Sequence, residues 1–301
     1  MTALFDAYII VDWSAAAKPA TDANSIWIGV LTRGEQTVAT FNPPTRLEAR
    51  HQILTLANEF ILRGQRILIG FDFALGYPSG TARALGLDLK EAAPWRAIHD
   101  YLAAHVIEHE DNHNDRFALA ADMNAAISGG AHPFWGAPPA KACSTLNTKK
   151  GDFTRADSLP EHRLAERWIR SNFKANPKTV WQLLGAGAVG SQSLLGIATV
   201  AWLREKISGA RLWPFETGPG TMTKQRLENT SCLLAEIYPS TVSIMPETGE
   251  ILDQAQVKTL SKHLESLDSA GILGGTFDFP DSISDGEIHK IIAEEGWILA
   301  K

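Results

Sequence analysis

Short apolar runs that end in polar residues mark the strands predicted at the start of the chain. Residues 7–11 form an apolar run that stops at Asp12, and residues 25–32 and 35–41 are further strand candidates. The Arg-Gly pair at 33–34 is a turn signal between the second and third runs. The pattern therefore predicts three strands joined as an antiparallel meander.

A helix and a fourth strand follow the meander. Thr45 and Glu48 have the spacing of a capping box, and apolar positions from 47 to 61 recur with helical periodicity. Residues 66–73 are apolar almost throughout, which is typical of a strand buried on both faces. Because a helical crossover returns the chain parallel to an earlier strand, we expect this fourth strand to lie beside the first.

The remaining elements are predicted from shorter signals, and no repeat, low-complexity tract or linker divides the chain. We therefore expect an α/β fold with a mixed sheet and helices on both faces, built as a single elaborated domain over residues 1–301. Residues 128–178 form a loop-rich insert, with nine lysines and arginines against four acidic residues from 141 onward. Strands are predicted over 179–184, 210–215 and 232–238, and helices over 93–124, 194–206, 257–267 and 287–293, the last with Asp285 as N-cap.

Composition and charge narrow the class of protein. The 301 residues are 45% hydrophobic and carry a net charge of −6, which excludes a disordered chain and disfavours a globally basic nucleic-acid binder. Cys143 and Cys232 form no CxxC pair, so neither a disulfide framework nor a cysteine zinc site is expected, and a cytoplasmic location fits. The opening MTALFDAYIIVD lacks the basic region and cleavage pattern of a signal peptide.

Residues 179–203 contain no charged side chain and are long enough to cross a bilayer. The stretch nevertheless includes Gln182, Ser191, Gln192, Ser193 and four glycines. We therefore predict a buried strand, turn and helix here, and no membrane association.

Three carboxylates at the ends of apolar strands carry the candidate chemistry: Asp12, Asp72 and Glu236. If the three strands are parallel neighbours, these acids converge at the carboxyl edge of the sheet, where α/β proteins bind ligands. Carboxylate oxygens are the ligands that Mg²⁺ or Mn²⁺ prefers, and two such ions would clamp a phosphodiester. The structural alternative is that each acid caps a loop or pairs with an arginine.

Longer motifs are spread over nearly the whole chain. They are VDWSA at 11–15, GFDFALGYP at 70–78, NDRFALAADMN at 114–124, PFWG at 133–136, VWQLLGAGAVGSQSLLG at 180–196, WPFET at 213–217, AEIYPS at 235–240 and EEGWILA at 294–300. On these motifs the chain resembles the uncharacterised family numbered 429 among domains of unknown function. Members of that family are described as predicted nucleases with a ribonuclease H-like fold.

The resemblance implies three antiparallel strands, a helix and further parallel strands, which agrees with the elements predicted for the first 73 residues. It implies that Asp12 and Asp72 are the acids of the first and fourth strands, with Glu236 as a further acid. The last acid of such folds lies on a C-terminal helix, where Asp268 is the best match and Asp253 and Asp285 are rivals.

Gly185, Gly187 and Gly190 form a GxGxxG pattern before a predicted helix. A nicotinamide dinucleotide site also needs an acid about 20 residues further on, and the candidates Glu205 and Glu216 fit that position poorly. A tight turn with close packing is the simpler interpretation, and the helix N-terminus there could still hold a substrate phosphate.

The sequence Asp12-Trp13-Ser14 allows a further interpretation. Sugar-kinase and actin-like ATPases share the core fold that the resemblance implies, and they place an aspartate with nearby Gly, Ser or Thr under nucleotide phosphates. Trp13 stands where glycine would let the backbone approach a phosphate, which disfavours an ATPase.

Weaker signals concern substrate contacts. Trp13 could stack on a base, and Arg116 lies in a family motif where it could bind substrate or brace a loop. His105, His109 and His113 have the spacing of metal ligands on one helix face, although the segment is polar enough to be a solvated helix end. The candidates for holding a polyanion are Lys149, Lys150, Arg155, Arg163, Arg167, Arg170 and Lys174.

Together these signals predict a divalent-metal-dependent hydrolase of phosphodiester or phosphate-ester bonds that uses Mg²⁺ or Mn²⁺. The acidic net charge favours a small nucleotide or a single-stranded nucleic acid as substrate. Two alternatives stay open: a non-catalytic protein that binds a nucleotide or a phosphorylated cofactor on the same fold, and an NAD(P)-dependent oxidoreductase.

Overall fold

A mixed seven-stranded sheet forms the centre of the computed structural model, which describes residues 3–154 and 158–299. The order of strands across the sheet is β3-β2-β1-β4-β6-β5, and β7 pairs with the end of β6. The strands are β1 (Ala7–Asp12), β2 (Trp27–Thr32), β3 (Ala39–Phe41), β4 (Ile67–Phe71), β5 (Ala210–Leu212), β6 (Cys232–Ile237) and β7 (Ile298–Leu299).

The direction of the strands confirms the predicted opening of the fold. β1 pairs antiparallel with β2, and β2 pairs antiparallel with β3, whereas β1, β4 and β6 run parallel to one another. Val11 is in register with Phe71, and Phe71 is in register with Glu236. The carboxyl ends of β1, β4 and β6 therefore lie at one edge of the sheet.

Eight α-helices lie within the described ranges, and of the two predicted N-caps one is confirmed and one is wrong. Thr45 accepts a hydrogen bond from the backbone N–H of Glu48 at the start of α1. At the last helix the N-cap is Ser284 and not Asp285, because Ser284 and Glu287 form the capping box. The helices are α1 (Arg46–Leu62), α2 (Thr81–Ala84), α3 (Pro94–His105), α4 (Arg116–Ser128), α5 (Leu164–Asn172), α6 (Gly190–Lys206), α7 (Leu252–Ser269) and α8 (Asp285–Lys290), which continues into a π-helical turn, Ile291–Glu295.

Helices cover both faces of the sheet, as predicted. On β1, Tyr8 and Ile10 pack in one core with Val257 of α7, whereas Ile9 and Val11 pack in another with residues of α1 and α6. Because successive side chains of a strand point to opposite faces, burial on both sides requires the continuous apolar run that marks β1 in the sequence.

Several predicted elements are wrong in their extent: the strands predicted over 35–41 and 210–215 each form only three residues of sheet, β3 and β5. The helix predicted over 93–124 is two helices, because residues 106–115 turn through Asn112 at a φ of 67°. The strand predicted over 179–184 forms only an isolated bridge between Gln182 and Trp135. In the uncharged stretch, α6 is buried over most of its length, and no helix in the described part of the chain is long and apolar enough to cross a membrane.

Candidate active site

Asp12 and Asp72 meet at the carboxyl edge of the sheet. Asp12 is the last residue of β1, and Asp72 directly follows β4, so the parallel register places them side by side. Their side chains lie within hydrogen-bonding reach of each other. The backbone N–H of Trp13 also donates to Oδ1 of Asp72 at 2.8 Å. Two carboxyl groups this close cannot both carry a full charge without strong repulsion.

The surroundings of this Asp12–Asp72 pair favour a shared proton. Burial, and then the charges of Asp72 and Asp253, raise the pKa of Asp12 well above its ordinary value. Burial and the charge of Asp253 raise the pKa of Asp72 to about 7, against the opposing effect of the Trp13 N–H and of hydrogen bonding to Asp12. Near neutral pH the pair therefore retains a proton that two isolated carboxylates would have lost.

Glu236 reaches the same edge but is held by an arginine. The Glu236 carboxylate accepts hydrogen bonds from Nη1 of Arg163 at 2.8 Å, from Nη2 at 2.5 Å and from the backbone N–H of Leu75 at 3.0 Å. Both side chains are buried. Burial raises the pKa of Glu236, and the Arg163 charge opposes that rise. For Glu236, the structural alternative of pairing with an arginine is the one that the structure displays.

The structure does not bring Asp268 to the Asp12–Asp72 pair. Its carboxylate lies beyond the amino end of β1, where it accepts hydrogen bonds from the backbone N–H groups of Leu4 and Phe5 and from the Tyr8 hydroxyl at 2.6 Å. The reason is the length of α7, whose 18 residues extend about 27 Å. The helix therefore runs past the whole strand, with Asp268 in its last turn.

Of the two rivals to Asp268, Asp253 lies close enough to the pair to raise the pKa of both aspartates. It stands in the first turn of α7, and its Oδ2 accepts a hydrogen bond from the backbone N–H of Asn24 at 2.7 Å. Asp285 is exposed at the start of α8.

A pocket of about 430 Å³ opens beside Asp72. It is lined by the turn 185–189, by Lys178, Gln192 and Ser240, and by the buried pair of Arg163 and Glu236. Lys178 is half-buried and has no hydrogen bond or ion pair to any residue that the structure describes. The pocket therefore has an acidic side at Asp72 and an unpaired cation at Lys178.

The glycine motif lines this pocket. Of its two glycines predicted to bind a cofactor, one is exposed and the other is buried. Gly187 is exposed in the turn at a φ of 70°, a conformation that favours glycine, and the Lys178 side chain passes alongside it. Gly190 is buried at the start of α6, where a Cβ would lie 2.4 Å from the carbonyl oxygen of Val180. Because residues 179–184 form no strand, the βα unit that a dinucleotide site requires is not formed.

Arg46, which was not among the residues predicted from the sequence, holds the loop after β1 through buried hydrogen bonds. Nη1 of Arg46 donates to the carbonyl oxygens of Ser14 at 3.0 Å and Ala16 at 2.7 Å, and Nε pairs with Glu108. Nη2 donates to the carbonyl oxygen of Asn112 at 2.9 Å. Arg46 is fully buried, and its place on the buried stripe of α1 was the available signal.

Arg116 braces the start of α6 and does not line the pocket. Its Nε donates to Oγ of Ser191 at 3.0 Å, and that hydroxyl donates to the carbonyl oxygen of Leu183 at 2.7 Å. Burial, followed by the nearby Arg46 charge, lowers the pKa of Arg116 to about 10. Of the two roles considered for Arg116, its contacts are those of a brace.

Trp13 and Ser14 contribute to the site through the backbone. The Trp13 ring is buried in the core against Phe73, at 5.9 Å between ring centroids. Its carbonyl oxygen accepts a hydrogen bond from Nε2 of Gln192, which lines the pocket. The Ser14 hydroxyl donates to the carbonyl oxygen of Asn24 at 3.1 Å, within the loop that Arg46 holds. The indole is therefore not placed to stack on a substrate base.

Two of the basic side chains predicted to hold a polyanion have partners within the protein. Lys150 pairs with Glu161 at 2.7 Å, and Arg170 binds His162 and the carbonyl oxygen of Pro177. Lys149, Arg167 and Lys174 are exposed, and Arg155 lies outside the described residues.

The predicted histidine face is not formed, because α3 ends at His105, which stacks on Tyr101. His109 and His113 lie in the following turn, joined by a backbone hydrogen bond. Within residues 3–154 and 158–299, no group of three or more His, Cys, Asp and Glu side chains is arranged to hold a metal ion.

Comparisons with models of protein families, with curated proteins and with solved structures find no match to this chain. The family resemblance therefore stays a hypothesis based on the motifs. Any functional interpretation depends on the geometry of the Asp12–Asp72 pair and its pocket.

The donor set of the Asp12–Asp72 pair fits a magnesium-type ion. Mg²⁺ usually keeps several waters and binds one or two carboxylates together with substrate phosphates, so a third protein carboxylate is not required. The observation that tests the fit is geometric: the two carboxyl groups lie side by side at the ends of adjacent parallel strands, and a divalent cation bound there would relieve the repulsion between their charges. The two aspartates are the residues that would hold the ion.

Proposed function

We propose that this protein is a divalent-metal-dependent hydrolase of phosphate esters, in which Asp12 and Asp72 bind Mg²⁺ or Mn²⁺. The observation that supports the proposal is the meeting of these two carboxyl groups at the carboxyl ends of adjacent parallel strands, beside a pocket. The order and directions of β1, β2, β3, β4 and β6 support a ribonuclease H-like fold as part of the same proposal.

In this proposal one side of the pocket would hold the metal ion and the other side would bind the substrate phosphate. A bound divalent cation lowers the pKa of a coordinated water and polarises a phosphoryl oxygen. On the other side, the Lys178 ammonium and the turn 185–189 would bind the phosphate oxygens. Gln192, anchored on the Trp13 carbonyl, keeps the start of α6 at a constant position relative to β1.

A hydrolysis assay with two generic esters tests the proposal. We expect the full chain with Mn²⁺ to cleave p-nitrophenyl phosphate or bis(p-nitrophenyl) phosphate, and chelation to abolish that activity. Asp72→Asn should lower kcat/KM by roughly 100-fold or more, since a metal ligand is lost. The matched control is Asp281→Asn, which alters an exposed carboxylate away from the pocket. Equal activity of the Asp72→Asn variant and the wild type would refute the proposal.

A second candidate is a protein that binds a nucleotide or a phosphorylated cofactor without cleaving it. The pairing of Glu236 with Arg163 favours this candidate, because it leaves fewer carboxylates free for metal chemistry. Nucleotide binding measured by calorimetry separates the two. A non-catalytic binder should retain its affinity in an Asp12→Asn variant and in the presence of a chelator, and should release no phosphate.

A further inference from the structure

Arg163 is the most completely bonded charged group in the wall of the pocket. Its Nη1 donates to Glu236 and to the carbonyl oxygen of Glu295, both at 2.8 Å. Its Nε donates to Glu166 at 2.8 Å, and Nη2 bonds both Glu166 and Glu236. A guanidinium has five N–H donors, so none is left for a substrate phosphate.

The backbone around Arg163 is held as firmly as its side chain. Its own N–H donates to Oε2 of Glu166 at 2.8 Å, and the N–H of Leu164 donates to Oε2 of Glu295 at 2.6 Å. Glu295 lies in the π-helical turn Ile291–Glu295 near the C-terminal end of the described chain. Hydrogen bonds therefore fix both the backbone and the side chain of Arg163. The planar guanidinium forms a bidentate pair with the Glu236 carboxylate.

Arg163 occupies the carboxylate that a second metal ion would need as a ligand. A two-metal site would use Glu236 as a ligand beside the Asp12–Asp72 pair. Arg163 already lies within 2.8 Å of both Glu236 oxygens, so a divalent ion there would face a positive charge at close range. Burial alone would lower the pKa of Arg163, but Glu166 and Glu236 together raise that pKa above its ordinary value, so the cation is permanent.

We infer that Arg163 takes the place of a second metal ion and withholds Glu236 from metal coordination, so that the site binds a single divalent ion at Asp12 and Asp72. This inference rests on the proposed metal-dependent function. In this role Arg163 is a positioning residue, because all its donors are directed to the protein itself. The experiment that tests the inference counts bound ions and does not depend on catalytic activity.

The test is titration of the metal-free full chain with Mn²⁺ alone at pH 8, followed by calorimetry and by electron paramagnetic resonance of free and bound Mn²⁺. We expect one ion per chain and a spectrum without coupling between two ions. In Glu236→Gln the stoichiometry should stay at one, with affinity changed less than roughly threefold, whereas Asp72→Asn should weaken binding at least about tenfold.

Each outcome has one consequence. Two ions per wild-type chain, or a coupled two-ion spectrum, would overturn the inference and leave the proposed metal-dependent function standing. Loss of the ion in a folded Glu236→Gln variant would also overturn the inference. No ion bound by the wild type would refute the proposed metal site itself. The wild-type count decides the matter even if Glu236→Gln does not fold, and circular dichroism establishes whether it does.

Discussion

β1 has carboxylates near each of its ends, and the two regions differ in what surrounds the charge. Near the amino end, Asp268 accepts hydrogen bonds from two backbone N–H groups and from the Tyr8 hydroxyl. At the carboxyl end, Asp12 and Asp72 face each other, with Asp253 nearby. Burial alone therefore does not distinguish the carboxylates of the candidate site from a structural one. The balance between donors and like charges separates the structural acid from the candidate active site.

The largest expected effect is a loss of stability from a substitution near the amino end of β1. Asp268→Asn replaces an acceptor by an amide group and removes the charge that the N–H groups of Leu4 and Phe5 bind. We expect the free energy of unfolding to fall by roughly 2–4 kcal/mol, because hydrogen bonds to charged groups contribute more than neutral ones. Urea denaturation measures it, with the exposed Asp281→Asn as a control expected to change stability by less than about 0.5 kcal/mol. A loss below about 1 kcal/mol at Asp268 would contradict the structural role.

A smaller effect is expected for metal binding as a function of pH. The ion must displace protons from the Asp12–Asp72 pair, so affinity for Mn²⁺ should rise as the pH increases through the pKa of Asp72, about 7. Between pH 5.5 and 8 the increase should be roughly thirtyfold, or about 2 kcal/mol. Calorimetry at several pH values measures it, and a pH-independent affinity would show that no such proton is displaced.

The smallest effect is a gain of stability at the carboxyl end. The folded-state pKa of Asp72 is raised to about 7, so between about pH 4 and 7 the folded chain holds a proton that the unfolded chain has released. Metal-free wild type should therefore lose stability as the pH rises through that range. Asp72→Asn removes the repulsion and should be more stable than wild type by on the order of 1–2 kcal/mol at pH 8.

The same type of substitution is thus expected to have opposite signs at the two ends of β1. Urea denaturation of metal-free Asp72→Asn and wild type at pH 5 and pH 8 measures the gain. If Asp72→Asn destabilised the chain at pH 8 as Asp268→Asn does, the distinction between the two ends would fail.

Much of the fold was predictable because it depends on local patterns. Continuous apolar runs identified β1, β4 and β6, and the helical crossover through α1 predicted that β4 lies parallel to β1. Strand ends that finish in Asp12 and Asp72 then predicted where the carboxylates meet. These inferences succeed because side-chain periodicity and strand direction are consequences of backbone geometry, which nearby residues determine.

The partners of the charges were not predictable in the same way. Arg163 was assigned to the substrate side of the insert, yet it is buried against Glu166 and Glu236, which are 3 and 73 residues away. Asp268 was assigned to the acidic site, yet it accepts hydrogen bonds from the backbone N–H groups of Leu4 and Phe5, just before β1. Both partnerships join residues far apart in the chain, and amphipathic periodicity contains no information about which distant groups meet.

The amino-acid sequence by itself determined the strand and helix order at the start of the chain, and it placed Asp12 and Asp72 at neighbouring strand ends. Only the tertiary structure decided that Glu236 is neutralised by Arg163, that Asp253 rather than Asp268 approaches the pair, and that the glycine turn shares a pocket with Lys178. The physical reason is that a charge acquires its role from the groups within a few ångströms of it. Long-range packing, not local sequence, chooses those groups.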